Sequence, residues 1–138
     1  MNLNKVEKEF QKVFSKFKYQ TNHIKDYIQF RIDKMTFEGI DDDISCEVVA
    51  FERDMGAIEF ILDKVTNPEM AYELINKYND TSLFIKCLIN TNGYLTFRHS
   101  VVKVTSEKDF VNLVSIIFGE LGKNYVMPIL VELSKLTK

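Results

Sequence analysis

Residues Ser82–Val102 read SLFIKCLINTNGYLTFRHSVV, two alternating apolar runs broken by Asn-Gly, and they decide the fold. Leu83, Ile85, Cys87 and Ile89 fall on one side of the first run. Leu95, Phe97, His99 and Val101 fall on one side of the second, the period of two expected of strands with a buried face. Bringing both sets to one face needs an odd loop, so Thr91-Asn92-Gly93 is predicted as a three-residue turn with Gly93 left-handed. Just beyond, Ser106 and Asp109 make a capping pattern. Phe110, Leu113, Val114, Ile117, Leu121, Tyr125, Ile129, Leu133 and Leu136 then line one stripe of a long helix. Gly119, Gly122 and Pro128 should bend or split it.

Upstream, Leu3, Val6, Phe10, Val13, Phe14 and Phe17 recur at helical spacing, and Asn4 with Glu7 is a plausible capping pair for a helix with a lysine-rich polar face. Ile28, Phe30 and Ile32 alternate with Gln29, Arg31 and Asp33 as a half-buried strand does. Thr36–Asp43 reads as a polar loop ending in consecutive aspartates. A second strand turns Ile44, Cys46, Val48 and Ala50 inward and a third turns Ile58, Phe60 and Leu62 inward, with Arg53-Asp54-Met55-Gly56 as the turn. Pairing Val48 with Leu62 and Val49 with Ile61 keeps the faces consistent. Asn67-Pro68 is a helix start, since Asn caps free amides and Pro is pre-organised at the first helical position. That helix carries Met70, Leu74, Ile75 and Tyr78 and stops near Asn79-Asp80.

At 138 residues the chain makes one domain, residues 1–138, able to bury roughly two thirds of its unfolded surface. Hydrophobic residues at 46% with only 5 Gly and 2 Pro exclude disordered, collagenous and low-complexity classes. A net charge of −2 with unclustered Lys and Arg argues against nucleic acid as a partner, because phosphate neutralisation needs a basic excess. No stretch is apolar enough for a membrane span or signal-peptide core, which predicts no membrane partner and a cytoplasmic location. The two cysteines, Cys46 and Cys87, fall in inward register and read as reduced core thiols. Asn79-Asp80-Thr81 matches a glycosylation sequon, accidental in an intracellular chain.

The order is helix, three strands, helix, two strands, long helix. With the run Leu83–Val101 leading into Asp109–Phe118, it resembles the YbjN-like family of the type III secretion chaperone-like fold. These are small acidic bacterial proteins that commonly form homodimers. The resemblance covers nearly the whole chain. It implies an α+β fold of order α-βββ-α-ββ-α, an antiparallel sheet packed with helices, and no catalytic residue. The turn after the fifth strand is shorter than in many relatives, and Pro128 interrupts the last helix.

Chemistry is hard to find in the residues themselves. Asp41, Asp43, Ser45 and Glu52 match the first, third, fifth and twelfth positions of a calcium loop, but Cys46 stands where that loop needs Gly for its sharp turn. His23 and His99 lack metal-ligand spacing, and a histidine base needs a nucleophile or substrate in hydrogen-bond reach. There is no Gly-rich phosphate loop, no Gly-x-Ser-x-Gly elbow and no His-Glu-x-x-His helix. The expectation is therefore no enzyme activity, no cofactor and no metal.

On the face opposite the core register fall Val49, Phe51, Ile61, Phe84 and Leu88, with Tyr94 at the hairpin end. A solvated antiparallel sheet should be polar there. Either the chain's own N-terminal helix or a second sheet layer covers these residues, or they form a dimer or peptide-binding surface. Lys86 and Arg98 should oppose each other on this face, unfavourably unless Glu47 or Glu59 stands near. The leading expectation is a non-enzymatic protein-binding module, chaperone-like or regulatory. It would act as a homodimer that holds a segment of another protein by strand addition at a sheet edge. An immunity-type inhibitor of a toxin, using the acidic patch Asp41–Asp43, is the alternative. A small-ligand pocket under the bent last helix is a third.

Overall fold

The computed structural model describes residues 1–137 and has the expected α+β architecture. It contains α1 (Leu3–Val13), β1 (Gln20–Ile24), β2 (Tyr27–Phe37), β3 (Ile40–Phe51), β4 (Met55–Lys64), α2 (Pro68–Thr81), β5 (Lys86–Ile89), β6 (Tyr94–Val101), α3 (Glu107–Glu120) and α4 (Met127–Ser134). The strands form one antiparallel sheet in the order β1-β2-β3-β4-β6-β5.

All four helices lie on one side of this sheet. Phe10 of α1 stacks on Phe30 at 3.9 Å between ring centroids, and Tyr78 of α2 meets Phe97 edge-on at 4.9 Å. Phe118 of α3 lies 5.6 Å from Phe60, while α4 packs on α2 and reaches β3. The residues beneath them are those whose alternation marked them as inward. Ile28, Phe30, Ile32, Ile44, Cys46, Val48, Ala50, Ile58, Phe60, Leu62, Cys87, Leu95, Phe97 and Val101 are all buried. Parity suffices for this because a strand turns every second side chain to the same face.

Local signals place most element ends. The Asn67 side chain accepts from Met70 N with Pro68 just inside the helix, and Ser106 accepts from Asp109 N. Asn90 and Tyr94 close the three-residue loop, and Gly93 sits at φ 87°. Gly56, beneath α3, has no room for a side chain. A Cβ there would lie 2.3 Å from the Val49 carbonyl oxygen and 2.6 Å from Phe110 Cζ.

Several expectations are corrected. The cap of α1 is Asn2, whose side chain accepts from Lys5 N, rather than Asn4. The first strand, Gln20–Ile24, was not expected, because it carries one aliphatic residue in five and is exposed along most of its length. Thr36–Asp43 is a tight hairpin around Gly39 at φ 84° rather than a loop, since β2 and β3 extend into it. The β3–β4 turn is Glu52-Arg53-Asp54 with Asp54 left-handed, so Val48 pairs with Ile58 and Val49 with Ala57, four residues tighter than Val48 with Leu62. Met70 and Leu83 point to solvent, and α2 buries Ala71 instead. The long helix is split between Leu121 and Val126, near Gly122 and Pro128 as anticipated. The order is thus α-ββββ-α-ββ-αα.

Candidate functional site

With every helix on one side, the opposite sheet face is uncovered by any described residue, so the N-terminal helix does not shield it. Strand register lays out that face. Phe51 stands between Tyr27 and Met55, and Val49 between Gln29 and Ala57. Ile61 lies between Ser45 and Thr96, with Leu88 beyond Thr96. Val49, Phe51, Ile61 and Leu88 are each half-buried. Between these two apolar groups runs a charged row across the sheet, Arg31, Glu47, Glu59, Arg98 and Lys86.

The row is internally paired. Arg98 Nε donates to Glu59 at 2.5 Å, and Arg31 reaches Asp33 at 2.8 Å and Glu47 at 3.7 Å. Lys86 opposes Arg98 as expected, but its ammonium turns away to donate to the carbonyls of Asn79 and Ser82 at 2.9 and 3.0 Å. A cation on the last carbonyls of a helix is favourable, which removes the like-charge conflict.

Phe84 does not join this face. It precedes β5, where the chain bends, and its ring stands edge-on to His99, whose partner Ile58 is in the core register. The half-buried His99 hydrogen-bonds through Nδ1 to the Phe84 carbonyl at 2.8 Å, which ties the ring to the bend before β5. Tyr94 is half-buried beside the β4 irregularity, paired with Lys64. Four of the six expected residues therefore share one face, Tyr94 marks its end, and Phe84 lies elsewhere.

The bend before β5 is held by a residue that the sequence did not single out. Glu120, at the end of α3 and 2% exposed, accepts from Ser82 Oγ at 2.9 Å and from the N–H groups of Leu83 (2.7 Å), Phe84 (3.1 Å) and Ile85 (2.8 Å). A carboxylate accepting several amides satisfies donors that the bend leaves without a ladder. Asn79 continues the pattern, accepting from Cys87 N at 2.6 Å and donating to Cys87 O at 3.0 Å. The single Ser82 hydroxyl proton is shared between the Glu120 carboxylate and the Ile85 carbonyl. The outer edge of β5 is thus capped by side chains from Ile85 to Cys87.

Asp41, Asp43, Ser45 and Glu52 run along or just past the extended β3, which cannot coil around an ion. Among the described residues no group of three His, Cys, Asp or Glu side chains is placed to hold a metal. Burial pushes both cysteine thiols well above their ordinary value. A groove of about 580 Å³ between α1 and the start of α3 is lined by Lys5, Lys8, Lys12 and Lys108 with Glu9 and Glu107, without a nucleophile and base in contact. Among the described residues no helix is long and apolar enough to cross a membrane. No protein-family model, no curated protein and no solved structure matches this chain.

Proposed function

We propose that this protein is a non-enzymatic protein-binding module of the chaperone-like or regulatory type, YbjN-like in character, that acts as a homodimer and holds a segment of a partner protein. One observation carries it: a six-stranded sheet shielded on one side by four helices presents Tyr27, Val49, Phe51, Met55, Ile61 and Leu88 on its bare side. Half-exposed apolar side chains gathered on one face are characteristic of interaction sites. Because the belt Arg31–Lys86 divides them, the fitting partner segment is apolar at both ends and polar where it crosses the belt. The belt's internal ion pairs keep its charges solvated and give register rather than affinity.

Affinity capture from the native cell with wild type and Phe51→Ser tests this. A protein retained by wild type and lost with a folded Phe51→Ser supports it, and equal retention by both refutes the sheet face as the site. Light scattering at micromolar concentration should give close to twice 16.1 kDa. The alternative, an immunity-type inhibitor, draws on Asp41 and Asp43, exposed at the start of β3 and outside every ion pair among the described residues. Capture of a basic toxin domain that is lost with Asp41→Asn and Asp43→Asn would favour it.

A further inference from the structure

The two edges of the sheet are treated differently. On β5 the outward backbone groups from Ile85 to Cys87 are bonded to Glu120, Ser82 and Asn79. On β1, Gln20–Ile24 pairs with β2 alone and has none of the usual edge protection: no Pro, no Lys, no bulge in its register and no capping side chain among the described residues. Its geometry shows which groups are free. The β1–β2 turn is the dipeptide Lys25-Asp26, so Ile24 and Tyr27 are a mutually hydrogen-bonded pair. Alternation then turns the N–H and C=O of Thr21 and His23 outward. The same rule applied to β5 turns Cys87 outward, where Asn79 does bind it.

We propose that the β1 edge pairs antiparallel with β1 of a second copy about a two-fold axis at Asn22, joining two sheets into one of twelve strands. This rests on the homodimer part of the proposed function and names its surface. Two-fold symmetry requires residue i to meet j and j to meet i. Centring on Asn22 sets Thr21 opposite His23 of the second copy and the reverse, so the outward groups of one strand face those of the other. Within the paired strands the one titratable side chain is His23, whose Nε2 lies 3.1 Å from Glu7 Oε1 of α1 in its own copy. Immediately outside them the register sets Lys18 against Asp26 of the other copy, and both are exposed and free of ion pairs among the described residues. Shifting the axis to Thr21 or His23 shortens the ladder and removes that charge match.

Four variants test this by light scattering and non-reducing electrophoresis. Thr21→Pro removes an outward N–H only, which an edge strand tolerates, so the fold stays and the mass should halve to 16.1 kDa where wild type is dimeric. Asn22→Cys should cross-link as a dimer on mild oxidation, because facing residues of a non-hydrogen-bonded pair stand about 4.5 Å apart at Cα, within disulfide reach. The buried Cys46 and Cys87 give no background. Lys18→Asp should raise the dimer dissociation constant, and adding Asp26→Lys should restore it. A wild-type dimer whose Asn22→Cys form does not cross-link and whose Thr21→Pro form stays dimeric refutes the β1 interface and leaves the homodimer standing elsewhere. A wild-type monomer at every accessible concentration removes both, while partner capture still tests the sheet face.

Discussion

Replacing Glu120 tests whether a buried carboxylate, rather than packing alone, holds the bend that starts β5. Its oxygens accept from Ser82, Leu83, Phe84 and Ile85 and, at 3.5 Å, from the Tyr125 hydroxyl, and among the described residues it makes no ion pair. Glu120→Gln keeps the shape, but the side-chain amide has one accepting oxygen and points its NH₂ at the remaining N–H groups. Orienting the oxygen towards Ser82 and Leu83 leaves the buried Ile85 N–H facing a donor, a loss of about 1–3 kcal/mol. The surviving bonds fall from charge-assisted to neutral strength, about 1 kcal/mol each. Relief from burying a charge offsets part of this, so the net destabilisation should be about 2–4 kcal/mol. For a chain of 138 residues the whole stability is of order 7–20 kcal/mol, so the change is large. Urea melts should show a lower midpoint at unchanged slope. A Glu120→Gln protein within about 0.5 kcal/mol of wild type, the range of an ordinary surface change, would refute the role assigned to this carboxylate.

Phe51→Ser should change stability by less than about 1.5 kcal/mol, whereas Phe60→Ala, at 0% exposure, should lose about 3–5 kcal/mol in the same melts. Equal losses would mean that the open face is packed. Gly56→Ala forces a methyl against the Val49 carbonyl and the Phe110 ring and should lower stability by about 1–3 kcal/mol or more, read as a drop in melting temperature; an unchanged value would contradict the packing of α3 on the sheet. Burial keeps both thiols protonated, so a chromogenic disulfide reagent at pH 8 should react with neither until denaturant is added; prompt reaction of one equivalent would place Cys46 or Cys87 at the surface. The Glu107 carboxyl is held below its ordinary value chiefly by the Asn2 N–H, at 3.0 Å. A lowered native value stabilises above the unfolded pKa and is lost as pH falls through the native one, so Glu107→Gln should be less stable than wild type at neutral pH and converge with it in acid, flattening the acid limb of the profile; an identical profile would refute the contact.

Strand faces were legible because burial follows parity, and parity survives an error in register: Val48 was buried whether it met Leu62 or Ile58. The three-residue turn at Gly93 was legible for the same reason, as only an odd loop could match the two faces. Strand β1 was not, since QTNHI has no alternation to read and owes its conformation to β2. Parity alone misplaces Phe84, because it stands in the bend before β5, where the chain does not alternate. Glu120 left a faint signal. It continues the spacing of Phe110, Val114 and Ile117, so a carboxylate stood in phase with a buried stripe, yet only the folded chain brings the amides of residues 83–85 to it. The half-exposed set Val49, Phe51, Ile61 and Leu88 could be listed from sequence. Which elements would cover it could not, because the side on which a helix settles depends on contacts far apart in the chain.

The strand order also sets a timetable for synthesis. The first four strands pair with their immediate neighbours, but β4 waits for β6, and β5, made earlier, ends up outside it. At about 5–20 residues per second, the stretch from Lys64 to Val101 takes roughly 2–7 seconds to emerge. Throughout that interval the edge of MGAIEFILDK, Met55–Lys64, is open beside an already formed meander. Its apolar run Ile58, Phe60, Ile61 and Leu62 is then within reach of any other extended chain. The nascent protein therefore passes through a stage in which its central strand is its most adhesive one, and closure comes only when the Asn92-Gly93 hairpin folds back to insert β6.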